Sequence, residues 1–87
     1  MDEHVDGNAL AGPLAEIFRM DVTTLVARCR HCGDDAMLAR AMVYFAAPGT
    51  VVRCCTCDGV LATLVEEDGM LLLGLAGISA LALPASN

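Results

Sequence analysis

The sequence contains no lysine and no tryptophan, and its aromatic side chains are limited to Phe18, Tyr44 and Phe45. Five arginines stand against 11 acidic residues, which gives a formal net charge of −6 at pH 7. Nucleic acid binding normally requires a basic face that releases counterions from phosphates, so this charge disfavours a nucleic acid partner, although a local arginine stripe stays open. Because aromatic side chains are scarce, small aliphatic side chains must fill the core.

The sequence also lacks an apolar run long enough to cross a membrane as a helix. The longest nearly apolar stretch, residues 70–83, contains Gly74 and Gly77 and ends before Pro84, whereas a helical span needs about 20 residues. Acidic residues follow Met1 where a secretory signal would carry a basic region. We therefore expect no membrane span and a cytoplasmic location, where cysteines bind metals more often than they form disulfides.

The length of 87 residues provides material for one small core. We expect a flexible acidic N-terminus over residues 1–8, a single domain over residues 9–83 and a tail over residues 84–87. A structural zinc ion contributes on the order of 10 kcal/mol of apparent folding free energy in small domains, which is comparable with the whole stability of an ordinary domain.

Four of the five cysteines form two CxxC pairs separated by 21 residues, and a glycine follows each pair within two residues. In a CxxC turn both sulfurs can point to one ion while nearby backbone amides donate to them. Two such turns complete a tetrahedral site, so we predict one Zn²⁺ per chain with four ligands: Cys29, Cys32, Cys54 and Cys57. Iron in a rubredoxin-like site uses the same ligands and remains the alternative.

Four protein ligands close the coordination shell, so a zinc ion here has no open position at which to activate water. We therefore predict a structural site and no enzymatic activity. The fifth thiol, Cys55, is expected to face solvent as a tolerated loop cysteine. Alternatively, it could replace Cys54 as a ligand, or Arg53 could lower its pKa and make it a redox or modification site. His31 occupies the loop of the other pair, so a Cys55/His31 nucleophilic pair is a further alternative, without a third residue to orient it.

Two groups of charged residues, one beside the cysteines and one near the N-terminus, allow further interpretations. Arg28, Arg30 and Arg53 flank the ligands and can offset the negative charge of four thiolates. Near the N-terminus, the acids at positions 2, 3 and 6 surround His4 and could bind a second transition metal.

The residue pattern predicts a small β-rich α+β domain, a zinc ribbon of antiparallel hairpins with one short N-terminal helix. The apolar spacing predicts the helix from about Gly12 to Met20. The predicted extended segments are 22–28, 36–46, 50–53 and 60–66, with a hairpin turn at 67–69. Residues 70–73 are expected to form a buried strand, followed by a bend at 74–77 and a further strand or turn. Any exposed remnant of this segment could form a homodimer or a partner surface.

The two CxxC pairs, together with the opening segment from Met1 to Leu14, resemble a family of short, uncharacterised bacterial zinc-ribbon proteins. The resemblance covers most of the chain and implies the same fold and zinc site, but no activity. The pairs alone also resemble the zinc domain of hydrogenase-maturation nickel metallochaperones. Those proteins bind nickel through a histidine directly after the initiating methionine, whereas this sequence has Asp2 there and His4 two positions later.

These observations favour a non-enzymatic structural-zinc protein that acts as a protein-interaction or assembly module. The alternatives are a metal-handling accessory factor that uses His4, and an iron electron carrier.

Overall fold

The computed structural model of the chain describes residues 4–10, 22–46 and 49–83. Within these ranges, two antiparallel sheets and three 3-10 helices form. The 3-10 helices are Gly7–Leu10, Val22–Thr24 and Leu38–Arg40. The strands are β1 (Val5–Asp6), β2 (Val26–Cys29), β3 (Asp35–Met37), β4 (Met42–Ala46), β5 (Gly49–Arg53), β6 (Val60–Glu67), β7 (Met70–Gly74) and β8 (Ile78–Ala82).

The larger sheet has the strand order β1-β4-β5-β6-β7, and the smaller sheet has the order β3-β2-β8. One face of the larger sheet carries the buried side chains Val43, Val52 and Leu64, as the alternation of strand side chains requires. The smaller sheet contributes the buried Ala27 and the partly buried Leu81 to the same cluster. The core therefore lies between the two sheets, and it is built from aliphatic side chains as the composition predicts.

The β-rich, antiparallel character of the prediction is confirmed, but two predicted strands are shorter than expected. The segment 22–28 begins with a 3-10 helix, so its strand starts only at Val26. The segment 36–46 is interrupted by the 3-10 helix Leu38–Arg40, which separates β3 from β4 and lets the chain pass from the smaller sheet to the larger one.

Two further predictions concern the N-terminal part of the chain. The helix predicted from about Gly12 to Met20 lies outside the described residues, and the residues that the structure does describe contain no α-helix. Within the segment 1–8, Val5 and Asp6 pair with Val43 and Met42 of β4, and the flexibility of this segment stays a prediction. Leu10, two residues beyond that segment, is buried in the core.

The prediction of a buried strand over residues 70–73 is wrong about burial. β7 forms and pairs with β6, but it is the last strand of the larger sheet, and Met70 is 65% exposed. β8 follows a bend, as expected, and pairs with β2. Across the described ranges, no helix is long and apolar enough to cross a membrane.

Candidate metal centre

The four predicted ligands lie at equivalent places in two turns. Cys29 is the last residue of β2, and Cys54 follows the last residue of β5. Both side chains are buried, whereas Cys32 and Cys57 lie in the turns and are exposed. We call the segment 29–34 the first knuckle and the segment 54–59 the second knuckle. Each knuckle thus supplies one sulfur from the core and one from the surface.

The four sulfurs converge on one point. Cys29 Sγ lies 3.6 Å from Cys57 Sγ, and Cys32 Sγ lies 3.8 Å from Cys54 Sγ. All four sulfurs lie within 4.8 Å of one another. A tetrahedron with metal–sulfur bonds of about 2.3 Å has edges of roughly 3.8 Å, so the two shortest separations already match a tetrahedral ion. The cluster can therefore hold a metal ion after a small contraction of its longer edges.

Backbone amides are directed at the sulfurs in a regular pattern, because each sulfur accepts a hydrogen bond from the amide two residues further along. The three measured N···Sγ distances are 3.4 Å for His31 to Cys29, 3.3 Å for Thr56 to Cys54 and 3.4 Å for Gly59 to Cys57. The amide of Asp34 donates in the same way to Cys32. Such bonds favour the thiolate form that a metal requires.

The two knuckles share the same backbone geometry. Their N–H···O distances are 2.9 Å for Cys29 to Asp34, 2.9 Å for Gly33 to Cys29, 2.8 Å for Cys54 to Gly59 and 3.0 Å for Asp58 to Cys54. In each knuckle the residue directly after the second cysteine has a positive φ, which is 79° for Gly33 and 63° for Asp58. The left-handed residue of the second knuckle is therefore an aspartate, although a glycine directly follows it.

Gly59 has a different role, because it provides space. A Cβ atom at this position would lie 2.6 Å from Cδ2 of His31 and 3.2 Å from Sγ of Cys57. The His31 ring can therefore pack directly over the backbone of the second knuckle. By contrast, a Cβ atom at Gly33 would meet no atom within 4 Å.

Two side chains connect the knuckles in opposite directions. From the first knuckle, Nε2 of His31 lies 3.3 Å from the carbonyl oxygen of Val60, the residue directly after the second knuckle. From the second, Oγ1 of Thr56 donates to Oδ2 of Asp34 at 2.9 Å. His31 and Thr56 occupy the same position in their knuckles, two residues after the first cysteine. The contacts hold the knuckles together independently of any ion, and the sequence analysis missed Thr56 and Asp34 because their partners are distant in the chain.

The charges of the thiols depend strongly on one another. Burial opposes ionisation of Cys29, but the backbone amides of Cys32 and His31 and the Cys57 thiol outweigh it and lower the pKa of Cys29 to about 6. At Cys32 the amide of Asp34 favours the thiolate, but the partial loss of hydration at the sulfur and the neighbouring thiols outweigh it and raise the pKa to about 12. The neighbouring thiols therefore oppose joint ionisation, and a bound cation would favour it.

The flanking arginines have partners other than the sulfurs. Arg28 forms a two-pronged ion pair with Asp35, with distances of 2.8 and 3.2 Å. Arg30 donates through Nε to the carbonyl oxygen of Ala76 at 2.8 Å. Arg53 donates to the Asp58 carbonyl oxygen at 2.9 Å and lies 5.6 Å from the centre of the Tyr44 ring. The arginines thus brace the backbone around the knuckles.

The alternative site residues are placed apart. Cys55 is exposed and its sulfur contacts Thr56 Oγ1 at 3.9 Å, while the His31 ring contacts Val60. Cys55 thus has a different partner from His31, and Cys54 keeps the ligand position. The ring of His4 lies 5.3 Å from the ring of Tyr44. Asp6 accepts a hydrogen bond from the amide of Asn8 at 3.0 Å, and residues 2 and 3 lie outside the described residues.

Comparison with known proteins gives one match. A family model described as a family of unknown function, DUF6510, matches residues 1–86. The searches of curated proteins and of solved structures found no match, so the resemblance to zinc ribbons and to the nickel metallochaperones has no support from a relative. Because the family model covers nearly the whole chain, this protein belongs to the DUF6510 family.

Proposed function

We propose that this protein is a non-enzymatic structural-zinc protein that binds one Zn²⁺ per chain through Cys29, Cys32, Cys54 and Cys57. The observation that carries the proposal is the convergence of four sulfurs, each with a backbone amide donating to it. A zinc ion would supply the positive charge that the crowded thiols need in order to ionise together. With four protein ligands the ion would have no position for substrate, which is why we propose a structural role.

The cellular role that we propose is a cytoplasmic module for protein interaction or assembly. Large apolar side chains of β7 are exposed, including Met70, Leu71 and Leu72, and exposed apolar patches are typical of interaction sites. A nucleic acid partner is disfavoured, because the net charge is −6 and three of the five arginines already contact an acid or a carbonyl oxygen.

An iron electron carrier is the first alternative, since iron accepts the same four thiolates. Elemental analysis by mass spectrometry of untagged protein, together with its visible absorption spectrum, separates the two. One zinc per chain and no colour supports the structural-zinc proposal. Iron with thiolate charge-transfer bands would replace it with electron transfer, and a folded protein without metal would refute both.

Metal handling through His4 is the second alternative. It has less support, because the His4 ring packs at a tilt against the Tyr44 ring and Asp6 accepts a hydrogen bond from the Asn8 amide. Within the described ranges, the four cysteines are the one group of metal-binding side chains close enough to share an ion. Substoichiometric nickel or cobalt binding that disappears in His4→Ala would favour metal handling. Binding that is unchanged in His4→Ala would remove this alternative.

A further inference from the structure

The outer edge of β7 has no neighbouring strand in the described part of the chain. Met70, Leu71 and Leu72 are 65%, 38% and 49% exposed. An unpaired apolar strand edge presents free N–H and C=O groups and readily accepts another strand. We propose that β7 pairs antiparallel with β7 of a second copy of this chain, about a two-fold axis at Leu72, and so forms a homodimer with one continuous sheet.

The turn before β7 fixes which of its backbone groups are available. Asp68 and Gly69 have φ values of 52° and 75°, which are typical of the type I′ turn of a two-residue hairpin. Glu67 and Met70 flank this turn and are partners in the β6–β7 ladder. In a two-residue hairpin the flanking pair exchanges both backbone hydrogen bonds, and the bonds then recur at every second residue.

It follows that Leu71 and Leu73 direct their N–H and C=O groups away from β6, toward the free edge. A two-fold axis at Leu72 places Leu71 of each copy opposite Leu73 of the other copy, which gives two equivalent pairs. Each of these two pairs has both members directed outward, so each can exchange two backbone hydrogen bonds. The register at Leu72 therefore satisfies the outward groups of both strands, whereas a shift of one residue in either strand does not.

The side chains fit the same register on both faces. Leu73 already packs against the core, so Leu71 of the second copy would extend that core across the axis. On the other face, Met70 of the second copy lies opposite Gly74, which has no side chain. A groove of about 280 Å³ opens at this point, and its lining includes Thr63, Gly74 and Ala76. The exposed Met70 side chain thus meets an open space in the partner copy.

The charges also favour this arrangement. The acidic tip of the hairpin consists of Glu66, Glu67 and Asp68. In a parallel arrangement the two tips would lie side by side and repel each other. In the antiparallel arrangement the tip of each copy instead lies toward the far end of β7 of the second copy, where the carbonyl oxygen of Ala76 accepts a hydrogen bond from Arg30. The acidic tip of each copy therefore approaches an arginine of the other.

The first test is the mass in solution, measured by sedimentation equilibrium over a range of concentrations up to millimolar. We expect a concentration-dependent species of twice the chain mass of 9.1 kDa. Leu72→Lys places two like charges opposite each other at the axis and should abolish this species. The matched control, Val51→Lys, changes a half-buried residue of β5 on the same face of the sheet, two strands from the edge, and should remain dimeric. Circular dichroism establishes that each variant is folded.

A cross-link tests the register. In an antiparallel sheet, opposite residues without mutual hydrogen bonds have Cα atoms about 4.5 Å apart, which is within disulfide range. In a Cys55→Ser background, Leu72→Cys should therefore cross-link to its own copy under mild oxidation, with the 72–72 bond identified by peptide mapping. Leu71→Cys should not cross-link to itself, because residue 71 faces residue 73.

Three results would overturn the proposal. The first is a monomer at every concentration, which would mean that something other than a second copy covers β7. The second is a dimer that persists in a folded Leu72→Lys protein. The third is a cross-link at position 71 and none at position 72.

Discussion

The two knuckles have the same backbone hydrogen bonds and different side chains at every position except the cysteines. The left-handed residue is Gly33 in the first knuckle and Asp58 in the second. The side chain that forms a hydrogen bond toward the other knuckle is His31 in the first knuckle and Thr56 in the second. The common part is what holds the sulfurs, since the amide–sulfur bonds depend on the backbone alone. The side chains instead determine how each knuckle packs against the other.

The two knuckles also need glycine for different reasons. Gly33 is suited to its place by conformation, because its φ is positive and its surroundings are empty. Gly59 is suited to its place by size, because the His31 ring occupies the volume of a missing side chain. Two glycines that look equivalent in the sequence should therefore respond differently to mutation.

The largest effect is expected from removing a ligand. Cys29→Ser and Cys57→Ser should each abolish stoichiometric zinc binding and unfold the domain, because three thiolates leave the coordination shell open and the small core loses its ion. Cys55→Ser is the matched control and should keep both zinc and fold. Zinc content and far-ultraviolet circular dichroism measure these outcomes. A folded, metal-free Cys57→Ser protein would contradict the structural role.

Gly59→Ala should destabilise the zinc-bound domain by about 2 kcal/mol, because the new methyl group overlaps His31 and crowds Cys57. The penalty should shrink when His31→Ala is added, since the closest contact is then removed. Chemical denaturation of the two single variants and the double variant gives the coupling energy. Additive penalties would show that His31 does not pack over Gly59.

Substitution at the left-handed positions should have a smaller effect. Gly33→Ala should cost about 1 kcal/mol, because alanine is strained at positive φ even where space is open, whereas Gly33→Asn should cost less. In the second knuckle Asp58→Gly should be tolerated and Asp58→Ala should resemble Gly33→Ala. The same denaturation experiment tests both. An unaffected Gly33→Ala protein would argue against the left-handed backbone.

The smallest effect is expected at the ion pair that flanks only the first knuckle. Arg28 lowers the pKa of Asp35 through its hydrogen bonds, so the pair contributes stability at neutral pH that is lost as the pH falls through the lowered pKa. Both side chains are about half exposed, and exposed pairs contribute little. Asp35→Asn should leave the melting temperature nearly unchanged at pH 7 and should slightly flatten its decrease in acid. A large decrease at pH 7 would contradict this.

Much of the strand pattern could be predicted because its signals are local. The turn at Asp68-Gly69 and the β-branched residues of β5 and β6 identify the hairpins without tertiary information. The spacing of the cysteines likewise identified the four side chains that the structure brings together. The exposure of β7 could not be predicted, because an apolar strand has the same composition whether it lies at the edge or at the centre of a sheet.

Other features depend on contacts between distant residues. The bond from Thr56 to Asp34 joins the two knuckles, and neither residue type indicates its partner. The 3-10 helix Leu38–Arg40 interrupts a segment whose composition favours a strand, because the chain must pass there between two sheets. The left-handed conformation of Asp58 could not be predicted either, because the adjacent Gly59 is the residue type that adopts this conformation most easily.

The unequal burial of the four sulfurs has a consequence for metal exchange. Cys29 and Cys54 lie in the core, and Cys32 and Cys57 lie at the surface. A chelator or a competing thiol that approaches from solvent can reach only the surface pair, so an ion would leave through that side after its two outer bonds break. The inner pair would remain as an anchor, and the lifetime of the bound ion would be governed by the exposed half of its shell.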